Sequence, residues 1–303
     1  MLIFVFLDGI GLGPDEPTNP FSTTSLPGFQ QLVGRRLLNG VEVDLPDHQV
    51  RAIDACLGVG GLPQSATGQT ALFTGVNASE LVGMHISAFP TQVLRDTIAQ
   101  HSVLRRAQES GFNVTFANAY SPQYWNSIYQ RRNRHSATTW STMAAGLRFR
   151  DFDDLSRGEA VYWDITHEIA RAGHAPELPY VEASEAGRRL AALTSDHDFV
   201  LYENFLPDLT GHRRLDWTPA ETLHRIDDML IGLLNNLPEQ ATLLITSDHG
   251  NLEDTSTRGH TYNAVPLIVK GPGAYHFADI HDIIGITPAI VNYLQASNAI
   301  SAN

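Results

Sequence analysis

Acidic and histidine side chains follow several apolar segments of this sequence, at positions that suit metal ligands. Asp8 ends the apolar run Leu2–Leu7, and the pair Asp248-His249 stands just after the run Leu243–Ile245. Carboxylate oxygens and imidazole nitrogens bind Zn or Mn well, and six such side chains can hold two divalent ions. The candidate ligands are Asp8, Asp208, His212, Asp248, His249 and His260.

A hydroxyl nucleophile for such a centre lies in the segment 63–70. Ser65 follows Pro63 at the predicted start of a helix, where backbone amides and the helix dipole favour an anion. An ordinary N-cap serine has the same appearance, and Thr67 is a rival nucleophile that residue chemistry alone does not rank. Together with the ligands, either hydroxyl predicts phosphoryl transfer at a two-metal centre.

Each of these residues also has a structural interpretation when it is taken alone. Asp8 can cap a turn, and the run Gly9-x-Gly11-x-Gly13 lacks the spacing of a dinucleotide-binding loop. Asp208 and His212 are four residues apart, which places them on one side of a helix, but chance pairs of this kind are frequent. The combination of the segments therefore carries the prediction.

The bulk composition predicts a globular protein without a nucleic-acid or membrane partner. The 303 residues are 43% hydrophobic and carry a net charge of −13, which disfavours nucleic acid and anionic membranes. Cys56 is the only cysteine, so a multi-cysteine zinc site and an internal disulfide are excluded. The first apolar run is too short for a signal peptide or a membrane span, and we expect a cytoplasmic protein.

Strand-like and helix-like segments alternate along the chain. This alternation predicts an α/β fold with a mainly parallel sheet and helices on both faces, in which ligands gather at the carboxyl ends of the strands. The predicted strands are 2–7, 113–117, 199–202, 243–246 and 266–269, and the predicted helices are 29–38, 65–75, 90–110, 185–193, 218–234 and 280–294.

The segment 120–179 interrupts the alternation and is rich in arginine and aromatic residues. We interpret it as a small cap inserted into a core domain formed by residues 1–119 and 180–303. Within it, Arg131, Arg132 and Arg134 are candidates for a clamp on a substrate oxyanion, although a run of charges is more often a solvated surface.

Three segments resemble the metal-binding motifs of cofactor-independent phosphoglycerate mutase and, more broadly, of the alkaline phosphatase superfamily of metalloenzymes. They are 204–212 (NFLPDLTGH), 246–253 (TSDHGNLE) and 259–266 (GHTYNAVP). The similarity covers roughly residues 1–118 and 184–295 and implies the alkaline-phosphatase-like fold.

The resemblance also ranks the nucleophile and divides the ligands. In the mutase the nucleophilic serine stands ten residues before the glycine of a small-residue pair, and Ser65 stands ten residues before Gly75. One ion is then expected on Asp208, His212 and His260. The other is expected on Asp8, Ser65, Asp248 and His249.

Two departures separate this chain from the mutase. Gln69 stands where the mutase has a histidine four residues after its nucleophile, which makes Gln69 a candidate substrate-binding residue. The large inserted domain of the mutase is missing or is replaced by the shorter segment 120–179. The sequence also lacks the sulfatase motif around Ser65.

We therefore predict a metal-dependent phosphohydrolase, a phosphomonoesterase or phosphodiesterase, that acts through a phosphoserine on a small phosphorylated substrate. Zn or Mn is the favoured metal pair, and Mg also suits the ligands. The alternatives are a phosphomutase of the phosphoglycerate mutase type and a non-catalytic metal-binding protein. The sequence does not indicate the oligomeric state.

Overall fold

The protein was analysed as a computed structural model, which describes residues 1–301. Its strands are β1 (Leu2–Leu7), β2 (Val43–Leu45), β3 (His48–Ile53), β4 (Val114–Phe116), β5 (Phe199–Asn204), β6 (Thr242–Thr246) and β7 (Val265–Lys270). None of the helices within the described range is long and apolar enough to cross a membrane.

The helices alternate with these strands and cover them. They are α1 (Pro20–Thr23), α2 (Pro27–Val33), α3 (Ser65–Thr74), α4 (Ala78–Val82), α5 (Gln92–His101), α6 (Val103–Glu109), α7 (Pro122–Tyr129), α8 (Ala137–Ala144), α9 (Phe152–Arg157), α10 (Glu168–Gly173), α11 (Ala183–Ala192), α12 (Leu206–Gly211), α13 (Pro219–Leu234) and α14 (Ile286–Ser301). Short 3-10 turns occupy Leu193–Ser195, Ala274–Phe277 and Ile283–Gly285.

One seven-stranded sheet organises the molecule, in the order β2-β3-β7-β6-β1-β5-β4. The strands β6, β1, β5 and β4 pair in parallel, whereas β7, β3 and β2 pair antiparallel with their neighbours. The predicted α/β class and mainly parallel sheet are confirmed, with an antiparallel edge that the sequence analysis did not predict. Its β2-β3 hairpin is short and carries polar residues, so its apolar pattern is weak.

The central strand β1 is buried along its whole length and contributes to a core on each face of the sheet. Phe4 and Phe6 pack with Phe73 of α3 in one core, and Ile3 and Val5 belong to the core on the other face, together with residues of α11 and α13. Successive strand residues point to opposite faces, which explains why β1 lacks polar alternation.

The predicted helix 90–110 is two helices, because the chain is extended at Ser102 (φ −50°, ψ 131°). Ile98 of α5 and Val103 of α6 are both buried but stand five residues apart. A single continuous helix would turn these two side chains away from each other, and the break brings both onto the core. The predicted helix 29–38 also ends early, at Gly34, which has a left-handed conformation (φ 77°).

The segment 120–179 has two kinds of packing. Helix α8 lies against α3, α5 and α6, and Ala137 belongs to the large core. Leu155, Tyr162 and Leu178 instead form a small cluster of their own. The division into a cap (120–179) and a core domain stays a prediction, and its residues 302–303 lie outside the described part of the chain.

Candidate metal centre and adjoining cavity

The carboxyl ends of three neighbouring strands bring three aspartates together. Asp8 directly follows β1, which lies between β5 and β6 in the sheet. Asp248 follows β6 after one intervening residue, and Asp208 lies on α12 just beyond β5. Because these strands are parallel, their carboxyl ends share one edge, as the alternation of strands and helices indicated.

A close backbone contact holds Asp8 and Asp208 in place. The Asp208 amide donates to the Asp8 carbonyl at 3.1 Å. Gly9 adopts φ 80°, and a Cβ atom there would stand 2.8 Å from the Asp208 Cα. Only glycine fits this turn without displacing α12, both because of its φ value and because of the space.

His249 is the centre of a first group of potential ligands. Its Nε2 lies 3.0 Å from Ser65 Oγ, 3.2 Å from Asp8 Oδ1 and 3.5 Å from Asp248 Oδ2. The side chains of Asp8, Asp248 and His249 are buried, whereas Ser65 is partly exposed at the start of α3. One nitrogen and three oxygens thus converge from three segments of the chain.

Asp208, His212 and His260 form a second group. Asp208 Oδ1 lies 3.3 Å from His212 Nε2 and 3.4 Å from His260 Nε2, and the two Nε2 atoms are 3.1 Å apart. The Nδ1 atoms face backbone carbonyls, of Arg258 for His212 (2.7 Å) and of Pro63 for His260 (2.6 Å). With Nδ1 donating to a carbonyl, Nε2 keeps its lone pair for a metal.

The two groups adjoin each other. The rings of His249 and His260 stack with centroids 3.7 Å apart and an interplanar angle of 15°. Asp208, His249 and His260 also have ligand atoms within 4.8 Å of one another, as do Asp8, Asp248 and His249. A centre with two neighbouring cation positions is compatible with this spacing.

The residues fit divalent metal ions. Both oxygens of Asp248 and Oδ1 of Asp8 are buried and accept no hydrogen bond. A buried carboxylate without a donor is strongly destabilising unless a cation compensates its charge. Because the ligands are carboxylate and imidazole, Zn or Mn suits the chemistry of the site.

The pKa values of Asp8, Asp248 and His249 in the metal-free protein reflect their burial and their closeness to one another. Burial, followed by the neighbouring aspartates, raises the pKa of Asp8 and that of Asp248. Burial alone would lower the pKa of His249, but the charges of Asp248 and Asp8 outweigh it and raise that pKa to about 10. Cations that enter the site must therefore displace protons, and their affinity must rise with pH.

A second layer of polar residues orients the ligands. Gln69 Nε2 donates to Asp8 Oδ2 at 3.1 Å, and Asn251 Nδ2 donates to Asp208 Oδ1 at 2.8 Å. The buried carboxylate of Glu253 accepts from the amides of Gly11 (2.9 Å) and Asn251 (2.8 Å). Asn251 and Glu253 stand in the quoted motif 246–253, but the sequence analysis assigned them no role.

The two candidate nucleophiles lie in different surroundings. Ser65 Oγ faces His249 and lines a cavity, as described below. Thr67 is fully buried, and its Oγ1 donates to the Gln64 carbonyl (3.2 Å) and accepts from the Ile86 amide (3.1 Å). The Thr67 hydroxyl is therefore occupied by its own backbone surroundings.

A cavity of about 420 Å³ opens from the two ligand groups. Asp8, Ser65 and Asp208 line it on the side of the sheet. The opposite wall comes mainly from residues 118–139 and from Tyr162 and Trp163. The segment 120–179 thus contributes to the space in front of the candidate nucleophile.

The cavity also includes a buried carboxyl that was not singled out from the sequence. Glu203 Oε2 accepts from Thr138 Oγ1 at 2.5 Å, and Oε1 is buried without a partner. Burial raises the pKa of Glu203 well above its usual value, and Asp8 and Asp248 raise it further. Its apolar neighbours along β5 gave no reason to assign it a role.

Only some of the candidate substrate-binding residues line the cavity. Gln69 and Arg134 line the cavity, whereas Arg131 and Arg132 are exposed outside its lining. Arg214, which no pattern indicated, lines it as well. His135 lies beside the wall, because its Nδ1 is 2.8 Å from the hydroxyl of Tyr124, a residue of the lining.

Comparisons with known proteins agree with the sequence resemblance. A profile of the Metalloenzyme superfamily matches residues 178–298, which include Asp208, His212, Asp248, His249 and His260. A phosphopentomutase of Clostridium tetani (strain Massachusetts / E88) is 24% identical over 282 residues, covering 87% of this chain. The matched region spans 66% of the length of that relative.

Solved structures share the fold. The PH0037 protein from Pyrococcus horikoshii has a TM-score of 0.57 at 15% identity, covering 97% of this chain and 96% of its own. The alkaline phosphatase from the Antarctic bacterium TAB5 has a TM-score of 0.56 at 14% identity, covering 97% and 98%. The expected alkaline-phosphatase-like architecture is confirmed by these similarities.

Proposed function

Because this chain resembles the alkaline phosphatase superfamily of metalloenzymes, we propose that it is a metal-dependent phosphohydrolase for a small phosphorylated substrate. The observation that carries the proposal is the convergence of a serine hydroxyl with two adjoining groups of aspartate and histidine ligands. Ser65 Oγ lies 3.0 Å from His249 Nε2, at the entrance of a cavity large enough for an organic substrate.

The proposed ligands divide into the two groups described above. Asp8, Ser65, Asp248 and His249 would hold one ion, and Asp208, His212 and His260 would hold the other. When bound, a pair of divalent ions lowers the pKa of a coordinated hydroxyl and compensates charge on the attacking and leaving oxygens.

Ser65 supplies the nucleophile in this proposal. It begins α3, and Gln64 forms no side-chain cap there; the Thr67 amide donates to the Ile86 carbonyl at 3.3 Å, which leaves the amides of Ser65 and Ala66 as the candidate donors to a phosphoryl oxygen. The Ser65 hydroxyl gives its proton to water, its Oγ bonds to phosphorus, and the bond from phosphorus to the ester oxygen breaks, so that the leaving alkoxide takes a proton from water and departs as the alcohol. Attack of water on phosphorus then releases phosphate and regenerates the serine.

The surrounding residues orient these groups. Gln69 holds the Asp8 carboxylate through its 3.1 Å hydrogen bond, and Asn251 does the same for Asp208. Arg134 and Arg214 are exposed cations on the cavity lining and would attract the anionic substrate. Of the three arginines predicted as an oxyanion clamp, Arg131, Arg132 and Arg134, only Arg134 keeps this role, and Arg214 is added to it.

A phosphomutase is the second candidate function. The observation that favours it is the similarity to a protein named phosphopentomutase, at 24% identity. A mutase must keep water away from its phosphoserine while the substrate reorients. Trp163 and Phe205, two residues of the cavity lining, are only partly buried, which favours access of water and hydrolysis.

The decisive experiment compares Ser65→Ala with Thr67→Val, which removes the rival hydroxyl at nearly constant volume. The metal-loaded protein is mixed with a ³²P-labelled phosphomonoester and quenched in acid. We expect wild type and Thr67→Val to trap a labelled phosphoserine, and Ser65→Ala to trap none and to lose at least ~10³-fold in turnover.

Undiminished turnover by Ser65→Ala would refute the proposed nucleophile. ³¹P NMR of the same reactions separates the two functions, because a hydrolase releases free phosphate and a mutase yields an isomeric phosphate ester. Melting curves of both variants show that each is folded.

A further inference from the structure

The cavity extends well beyond the space that a phosphoryl group needs. Its volume of about 420 Å³ lies within the range of ~300–1,000 Å³ typical of pockets that enclose a whole organic ligand. Asp8, Ser65 and Asp208 belong to its lining. With the phosphoryl group at these residues, the remaining space would hold the leaving group of the substrate. The chemistry of that wall therefore bears on the leaving group.

Aromatic rings with accessible surface form much of the wall. Phe89, Tyr124, Trp163 and Phe205 all line the cavity and are all only partly buried. Within the described part of the chain, Phe205 contacts no other ring, and the one partner of Phe89 is the Arg134 guanidinium, 4.8 Å from the ring centroid. These rings have surface left for a ligand.

The rings come from separate segments around the cavity. Phe205 lies between β5 and α12, three residues before Asp208, and Phe89 lies in the connection from α4 to α5. Trp163 belongs to the segment 120–179. Aromatic groups from three separate segments therefore line the same cavity.

The polar groups of the wall are largely paired with one another. The Asn118 side chain donates to the Glu203 carbonyl (2.7 Å) and accepts from the Glu203 amide (2.9 Å). The Tyr120 hydroxyl bonds to Thr139 Oγ1 at 2.8 Å. Apart from Asp8, only Glu203 among the described lining residues has a buried side-chain polar atom without a partner. The side chains of Asn118, Tyr120 and Thr139 are thus engaged by the protein itself, and the exposed cations of the lining are the guanidinium groups of Arg134 and Arg214.

We propose that the cavity selects phosphomonoesters whose leaving group carries a planar aromatic ring close to the ester oxygen, as in a benzyl ester. This inference rests on the proposed phosphohydrolase function and adds a substrate class to it. Ring-on-ring contacts contribute ~0.5–1.5 kcal/mol each beyond simple burial, which corresponds to about 2- to 13-fold in affinity.

The test uses two esters of similar size and leaving-group chemistry, benzyl phosphate and cyclohexylmethyl phosphate. We expect metal-loaded wild type to prefer the benzyl ester by about tenfold in kcat/KM. Phe205→Leu and Phe89→Leu should each lower this ratio by about threefold or more, because leucine keeps the apolar volume and removes the ring. Tyr275→Leu, at an exposed tyrosine outside the cavity lining, should leave the ratio unchanged.

A binding measurement separates this inference from the proposed function. Calorimetry with the non-hydrolysable benzylphosphonate and cyclohexylmethylphosphonate reports the preference of the pocket without turnover. If benzylphosphonate binds more tightly than cyclohexylmethylphosphonate but no ester is cleaved, the aromatic pocket is supported and the hydrolase proposal is refuted. If both esters are cleaved equally well and both phosphonates bind equally, the aromatic pocket is refuted and the hydrolase proposal remains.

Discussion

The candidate metal centre and the cavity wall adjoin the same cavity but are built in different ways. The centre consists of buried charged groups at the ends of strands, and its residues are spaced by hydrogen bonds such as that from Asp208 to Asp8 at 3.1 Å. The wall consists of partly exposed rings, Phe89 and Trp163 among them, from connections between elements.

This difference separates the chemistry from the choice of substrate. The ligands are positioned by the most buried strands of the sheet, so a change among them disturbs both charge balance and geometry. Phe89, Trp163 and Phe205 of the wall lie on connecting segments, where substitution changes contacts with a ligand while the sheet remains intact. Four predictions, from the largest expected effect to the smallest, test this contrast.

Removal of metal should have the largest effect. A chelator should lower turnover at least ~100-fold and should also lower the melting temperature, since saturating metal at ~1,000 times its Kd adds about 4 kcal/mol of stability. Zn or Mn should restore both. The measurements are initial rates and calorimetric melting before and after dialysis.

Asp248→Asn is the variant that corresponds to metal removal. It keeps the shape of the side chain but removes the charge of a carboxylate whose two oxygens accept no hydrogen bond. Metal should no longer raise its melting temperature to the wild-type extent. Full activity and an unchanged melting curve after chelation of wild type would show that the ligand groups have a purely structural role.

Gln69→Leu should have the next largest effect, on the metal rather than on the substrate. Gln69 donates to Asp8 Oδ2 at 3.1 Å, and loss of such a partner typically lowers metal affinity ~10- to 100-fold. Metal titration followed by activity measures the change. Gln92→Leu, at an exposed glutamine on α5, is the control. A raised KM with unchanged metal affinity would instead assign Gln69 to substrate binding.

Arg134→Ala should change the wall but not the centre. Arg134 lines the cavity and stacks over Phe89, so its loss should raise KM about 3- to 10-fold with little change in kcat. Arg131→Ala and Arg132→Ala, at exposed positions outside the lining, provide matched controls of the same charge change. Equal effects of all three variants would mean that the general field of the protein, and not a contact of Arg134, attracts the substrate.

Asp154→Asn should have the smallest effect, on stability alone. Hydrogen bonds from Arg148 lower the pKa of Asp154 to about 2 from its ordinary 3.8. The charges of Arg148 and Arg157 act in the same direction, and together these effects outweigh the burial of the carboxyl, which raises the pKa. A carboxyl whose pKa is lower in the folded state adds stability above pH 3.8, and this is lost as the pH falls towards 2.

The variant should therefore be less stable than wild type at pH 7, by at most about 2 kcal/mol because both arginines are more than half exposed. Urea unfolding at pH 7, 5 and 3.5 measures the difference, which should shrink at the lowest pH. A difference that grows on acidification would mean that the charge of Asp154 does not stabilise the fold.

Much of the fold and of the candidate centre was predictable from short-range patterns. The uninterrupted apolar run of β1 indicated a central strand, and Asp8 at its end indicated a site at the carboxyl edge of the sheet. The amphipathic helix α13 was expected within one residue of its observed start. Such features depend on periodicity and on neighbours in sequence, which a single chain displays directly.

Other features depend on contacts between distant segments. The break at Ser102 depends on which faces of α5 and α6 meet the core, and the exclusion of Arg131 and Arg132 from the cavity depends on how the chain runs after α7. Glu203 belongs to an apolar strand, and only its position beside the cavity distinguishes it from a structural residue.

The sequence by itself determined which aspartates stand near strand ends and in what order, and the ligand set predicted from them stays a prediction; parallel strands place such residues at one edge of the sheet whatever the details of packing. Only the tertiary structure decided which side chains surround them. Glu253 accepts from the amide of Gly11, and Phe89 lines the same cavity as Trp163, over separations in sequence that no local pattern encodes. Folding brings these groups together through the two cores of the sheet, and the choice of substrate depends on that arrangement.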